Sequence, residues 1–312
     1  MNARHGVLLV TILGLGLGLG ACAVPESIVK PLQDVKDVVV KPFTPAPAPA
    51  AEAPPPRDEK LEAILKGPQR SAVTRARDPD RHPLETLQFF GLRDDMTVVE
   101  IAPGGGWYTE ILAPYLFDHG NFYAAHYAAD DASADAARAA YRRKSRKNFD
   151  DKLKAAPQVY GKVRVGTLPE QSTFADIDPP GGADLVVTFR NVHNWLEEGH
   201  LDDTFKAFYN VLKPGGVLGV EEHRAKPGTS VEAMSKSGYM TEAFVIEHAK
   251  AAGFELVARS EINANPRDTK DYPQGVWALP PTLSEATDAD RPRLLAIGES
   301  DRMTLKFVKP RR

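Results

Sequence analysis

The stretch Val98-Val99-Glu100-Ile101-Ala102-Pro103-Gly104-Gly105-Gly106 constrains this chain more than any other, because an apolar strand there delivers a carboxylate and three glycines into an amphipathic helix. Glycines let a turn tighten and let a ligand lie against backbone N–H groups at the positive end of the following helix, so the pattern predicts a nucleotide cradle. A dinucleotide fingerprint needs a third glycine where Thr109 stands, which disfavours a nicotinamide cofactor. A phosphate-gripping loop needs Lys-Ser or Lys-Thr where Trp107 and Tyr108 stand, and that form is excluded.

What remains is an acid at the strand end followed by small residues at every second place: Glu100, Ala102, Gly104 and Gly106. This resembles motif I, E/D-x-G-x-G-x-G, of the class I S-adenosylmethionine-dependent methyltransferases. Asp184-Leu185-Val186-Val187-Thr188-Phe189 is similar to the fourth strand of that family, followed by Arg190-Asn191-Val192-His193-Asn194 as its loop. Leu212-Lys213-Pro214-Gly215-Gly216 resembles the turn into its fifth strand. Arg81-His82-Pro83-Leu84-Glu85, Phe89-Phe90-Gly91-Leu92 and Gly104 to Glu110 resemble a bacterial predicted-methyltransferase subgroup, so the match runs over residues 70–310.

The resemblance implies an α/β fold with a Rossmann-like, seven-stranded, mostly parallel sheet and helices on both faces. It implies S-adenosyl-L-methionine as cofactor and methyl transfer to an unidentified acceptor. By position, Glu100, Ala102, Gly104 and Gly106 would take the cofactor's amino-acid end, Ala102 fitting if its φ stays negative. His126 stands where the family commonly places a ribose-binding acid, with Asp130 and Asp131 close behind as substitutes. Thr167 stands where an acid often precedes the adenine contact. In the loop after the fourth strand, His193 is the candidate base, and Asn191 and Asn194 would orient groups or touch the cofactor. Trp107 and Tyr108 read either as core or as a ring face near the sulfonium.

Residues 1–21 read as a lipoprotein-type signal peptide: Arg4 and His5 precede an apolar run too short to span a bilayer, and Leu19-Gly20-Ala21-Cys22 resembles a bacterial lipobox. Cys22, the one cysteine of the 312 residues, is then the lipid-bearing first residue, and no disulfide forms within a chain. Residues 22–57, rich in Pro and Ala, predict an extended tether, and residues 58–312 a single methyltransferase-like domain. The expected product is exported and anchored in a membrane facing the periplasm, the outer in preference to the inner. Its substrate is expected to be a small molecule or an envelope component.

Net charge is −3, and the basic run Arg142 to Lys147 carries no interleaved aromatics, so nucleic acid is not an expected partner and the run reads as a solvated helical face. The sequence is silent on oligomeric state. Apolar alternation predicts strands at 97–101, 121–125, 161–165, 184–189, 216–222, 254–261 and 303–308. Helices are expected near 59–66, 106–116, 132–154, 200–212 and 240–252, the last capped by Gly253. Glu221 and His223 alternate onto one face of the fifth strand, but their spacing matches no closed metal motif and no metal is expected. The long segment from Asn263 to Met303 reads as a substrate-binding element or packed decoration, with Trp277 and Leu279 against the body. A second reading keeps the fold without the chemistry: a noncatalytic ligand-binding or envelope-interaction module, favoured by His126 and Thr167.

Overall fold

Strands β1 (Thr97–Ile101) and β4 (Ala183–Phe189) read as near-continuous apolar runs because both of their faces are covered. Alternate residues serve opposite layers: Val98, Leu185 and Val187 pack with one apolar cluster, and Val99, Ile101 and Val186 with the other. A computed structural model describes residues 57–132, 135–169 and 171–311. The expected signal peptide, Cys22 and all but the last residue of the tether lie outside the described residues. None of the described helices is long and apolar enough to cross a membrane.

The remaining strands are β2 (Asn121–His126), β3 (Arg164–Thr167), β5 (Leu212–His223), β6 (Glu255–Ser260) and β7 (Arg302–Val308). They form one sheet in the order β3-β2-β1-β4-β5-β7-β6. All neighbours are parallel except β7, which runs antiparallel between β5 and β6. The order reverses between β1 and β4, and ligands on open α/β sheets bind beyond the carboxyl ends of the strands at such a switch.

Four short helices precede the sheet: α1 (Glu59–Leu65), α2 (Ala72–Arg75), α3 (Asp78–Arg81) and α4 (Pro83–Phe90). Then come α5 (Thr109–Leu116), α6 (Ala136–Ala155) and α7 (Pro157–Tyr160). After β4 follow α8 (Val192–Glu198), α9 (Leu201–Val211), α10 (Val231–Ser237) and α11 (Glu242–Ala251). A 3₁₀ turn at Gly275–Ala278 and helix α12 (Arg291–Ile297) occupy the long segment before β7. Helices α4 and α5 cover one face with Leu87, Phe90, Ile111 and Leu112, while α8, α9 and α11 cover the other with Trp195, Phe205, Phe208 and Val245.

Local chemistry explains the boundaries. The Asp135 carboxylate accepts from the N–H groups of Ala137 and Arg138, starting α6, and Thr241 caps α11 at the N–H of Phe244. Gly253, at φ +108°, donates back to the Lys250 carbonyl just past α11. Several expectations shift: β5 begins at Leu212 and takes in the segment read as the turn before it. The third strand begins at Arg164 because residues 157–162 are taken up by α7 and its turn. The segment read as a loop after β4 becomes helical from Val192, so His193 lies in the first turn of α8.

The basic run on α6 is less solvated than expected. Arg142 pairs with Asp131 and Glu198, Arg143 donates to the Asp131 carbonyl, and Arg146 to the Tyr127 carbonyl, pinning the helix over the segment after β2.

Candidate active site

Glu100 ends β1 fully buried, and its carboxylate accepts the Thr109 hydroxyl at 2.6 Å. Burial raises its pKa to about 7, against the pull of that hydrogen bond. Ala102 follows with φ +49°, so the expected negative φ is corrected: an alanine is held in the left-handed region, at a cost of about 1–2 kcal/mol. The Ala102 N–H bonds the Ala125 carbonyl at 2.8 Å, holding the turn to β2.

The three glycines do different things. A Cβ on Gly104, at φ +57°, or on Gly105 would meet no protein atom within 4 Å. Gly106 is instead buried, and a Cβ there would press on the Phe149 ring at 3.1 Å, so its smallness serves the packing of α6 rather than a ligand.

At the end of β2, His126 is wholly buried and both ring nitrogens are engaged. Nδ1 accepts the Tyr127 N–H at 2.7 Å, which leaves the proton on Nε2, facing the Gly104 carbonyl at 3.1 Å. The ring fastens the glycine loop and has no nitrogen left for a ribose hydroxyl, which corrects the role expected of it. Burial lowers its pKa to about 4. Thr167 at the end of β3 is capped by Asp176, which accepts its N–H at 2.8 Å and its hydroxyl at 3.0 Å. A cavity of about 370 Å³ opens between these ends, lined by Ala102, Tyr127, Asp131, Thr167, Leu168 and Asn191 among others. Asp131, not Asp130, is the acid that reaches it.

At the end of β4 the Asn191 amide donates to the Ile101 carbonyl, the Thr188 hydroxyl and the Phe189 carbonyl, tying β4 to β1. Next to it Arg190 sits at φ +62°, a second non-glycine residue in the left-handed region. His193 is buried, with Nδ1 3.0 Å from Glu222 Oε1. A carboxylate only accepts, so Nδ1 carries the proton and Nε2 is left as the basic nitrogen. The Trp277 ring stands edge-on to His193 at 5.9 Å.

Glu221 and His223, read as sharing a face of the fifth strand, have separate partners. Glu221 accepts from Tyr108 and from Arg302 at 3.0 Å, while His223 Nδ1 lies 2.6 Å from Ser300 Oγ. Glu222 joins the two histidines instead, with candidate ligand atoms within 4.8 Å of one another. Its two oxygens already accept the N–H groups of Val192 and His223 besides His193, which suits an anchor for the imidazole better than a metal ligand. Burial holds His223 neutral, well below the usual imidazole range.

A larger cavity, about 610 Å³, shares Ala102, Tyr127, Asn191 and Asn194 with the smaller one. Beyond that boundary it is lined by Gly104 and Gly105, by His193 and Trp277, and by Arg77, Arg81, Arg190 and Glu299. The charged members escape sequence reasoning. Their one local trace is the four-residue spacing of Arg77 and Arg81, which sets both on one helical side. Trp107 lines the larger cavity while Arg70 and Arg81 lie over its ring at 5.0 and 4.7 Å. Tyr108 stacks on Phe189 at 3.5 Å, as core.

No family model matches the chain, and no curated protein matches it either. Solved structures do. A putative sarcosine dimethylglycine methyltransferase from Galdieria sulphuraria aligns over 82% of this chain and 90% of its own, at 12% identity and TM-score 0.50. The [4+2]-cyclase SpnF aligns over 74% and 80%, at 16% identity and TM-score 0.50. A SAM dependent methyltransferase from Aquifex aeolicus aligns over 80% and 98%, at 15% identity and TM-score 0.47. With the strand order, the two likenesses at TM-score 0.50 give the chain the class I methyltransferase fold. Since one neighbour is a cyclase, the chemistry must be argued from the site itself.

Proposed function

We propose that this chain binds S-adenosyl-L-methionine across the two joined cavities and transfers its methyl group to a small molecule or envelope component. The observation that carries the reading is the open cradle at Gly104 and Gly105, where a side chain would meet only empty space beside a buried acid. The residues present fit the cofactor. Glu100 suits its ammonium group, Asp131 and Thr167 line the space for its nucleoside end, and the carboxyl ends of β1, β2 and β4 converge there.

When bound, the cofactor supplies an electrophilic methyl group on a sulfonium. The chain's share is to align an acceptor in the larger cavity, exclude water and take a proton. His193 accepts that proton at Nε2 while Glu222 fixes the tautomer through Nδ1. Asn191 and Trp277 line the same cavity, the Trp277 ring edge-on to His193.

Calorimetry of the full chain with S-adenosylmethionine and S-adenosylhomocysteine tests the reading. Binding is expected in the wild type, and absence of heat at millimolar ligand removes it. Gly105→Val neither strains the backbone nor meets protein, yet fills the cradle, so we expect at least a hundredfold loss of affinity, about 3 kcal/mol. A variant that binds as before places the cofactor elsewhere.

The proposal includes a lipid anchor at Cys22 and a periplasm-facing membrane location, supported by the sequence pattern of residues 1–22. In fractionated cells, Cys22→Ala should move from membrane to soluble fraction, and retention on membranes counts against lipidation.

A further inference from the structure

The larger cavity holds more positive charge than its own acids balance. Arg77, Arg81, Arg190 and Arg302 all gather on the single carboxylate of Glu299, at 2.6, 3.0, 3.4 and 3.2 Å respectively. Glu221 is the second acid within reach, bound to Arg302 at 3.0 Å. Four guanidiniums thus face two carboxylates in a setting where Arg81, Glu221, Glu299 and Arg302 are each nearly inaccessible.

The excess leaves marks on the groups involved. Burial would raise the Glu299 pKa, yet the arginines hold it at about 2. Arg81 is pulled down to about 9, first by burial and then by Arg190. Arg302 likewise has a buried Nε without a partner, but Arg190 combines such an orphan with a strained backbone and a place on the cavity wall. Its bond to Glu299 is the longest, its buried Nε has no partner, and its backbone is held at φ +62° with its side chain on the cavity wall. A buried donor without an acceptor and a left-handed arginine are both costly, and such costs collect where a ligand repays them.

We propose that Arg77, Arg81 and Arg190 form a binding site for an oxyanion, a carboxylate or a phosphate, carried by a small molecule that, on the methyl-transfer reading above, is the acceptor. The cofactor cannot settle the charge. Its carboxylate comes with an ammonium and a sulfonium, so it enters the site with a net charge of about +1 and increases the excess. The anion must therefore arrive on the other reactant. With its anionic group on Arg190 and Arg77, an acceptor lies between the glycine cradle and His193, all of which line the same cavity. Guanidiniums suit planar, two-point recognition of such groups.

The test uses the full chain, titrated by calorimetry with succinate, with inorganic phosphate and, separately, with S-adenosylhomocysteine and 5′-methylthioadenosine, which lacks the amino-acid end. Wild type should bind at least one of the two anions. Arg190→Gln should weaken that binding about tenfold or more while leaving S-adenosylhomocysteine within about twofold. Arg77→Gln, at a side chain that keeps about a quarter of its surface exposed, provides a second variant should Arg190→Gln melt early.

Loss of S-adenosylhomocysteine affinity with 5′-methylthioadenosine and anion binding unchanged would assign the arginines to the cofactor's own carboxylate and overturn the proposal. So would wild type that binds neither anion, or anion binding indifferent to both substitutions. Anion binding that depends on the arginines in a chain that ignores S-adenosylhomocysteine keeps the oxyanion site and removes the methyl-transfer reading.

Discussion

The two cavities at the carboxyl edge of the sheet share a boundary and differ in how their charges are settled. Around the smaller one, Arg142 lies against Asp131 and Glu198, Arg138 against Glu197 and Glu198, and His200 against Glu198. Around the larger one, arginines outnumber acids and Arg190 keeps an orphaned nitrogen. A balanced wall suits a ligand held by shape, stacking and a few hydrogen bonds, as a nucleoside is. An unbalanced wall suits a ligand that brings charge of its own. On the proposed reading, the difference separates a cofactor half from an acceptor half.

The sharpest way to break that division is His193→Ala. If the base belongs to the acceptor half, methyl transfer to an accepted substrate should fall about 10²–10⁴-fold, with S-adenosylhomocysteine affinity unchanged by calorimetry. Equal losses in both would merge the two halves.

Next in size is Glu299→Gln, which removes the carboxylate shared by four arginines without changing its shape. Breaking a buried pair on one side typically costs about 3–5 kcal/mol, so a large drop in the urea midpoint is expected. Added phosphate should recover part of it. A variant as stable as wild type would show that the arginines are compensated from elsewhere.

The smallest expected effect concerns Glu100 and His126, which support the boundary between the halves. His126 has its folded pKa lowered to about 4 from 6.5, so its contribution is present above 6.5 and is lost as pH falls toward 4. Glu100 has its folded pKa raised to about 7 from 4.5, so its contribution is present below 4.5 and is lost as pH rises toward 7. Between those limits the folded state holds the Glu100 proton and the unfolded state the His126 proton. The counts match and the slopes cancel. Glu100→Gln should therefore lose about 2 kcal/mol more than wild type between pH 6.5 and 4.5, measured by urea unfolding at each pH. Parallel profiles for the two proteins would sink the balance.

What the sequence made legible was whatever is local. The strand-turn-helix at Glu100 to Gly106 and the alternating apolar runs led to the sheet, because each is encoded in consecutive residues. The whole of α8 was missed, since Asn191 makes no side-chain cap and the helix declares itself only through Gly199 at its far end. Ala102 was read as fitting only at negative φ, yet it sits at φ +49° with its N–H bonded to the Ala125 carbonyl, a contact made across the sheet. His126 was placed correctly at its strand end, and its role was misread because the partner that takes its Nε2 proton is a backbone carbonyl in another segment. The acidic neighbour of Thr167 was overlooked for a similar reason: Asp176 arrives from nine residues downstream. The arginine wall left only the spacing of Arg77 and Arg81 as a trace, since charge compensation is a property of the assembled molecule.

Glu299 meets Arg77 across 222 residues of chain. Synthesis runs from the amino terminus, so the guanidiniums of Arg77, Arg81 and Arg190 are all made before the carboxylate that gathers them. Until α12 and β7 emerge, those three repel one another, and the larger cavity cannot close on anything. The site is therefore among the last features the chain can finish, and a polypeptide stopped short of Glu299 lacks the clasp that sets the arginines around it.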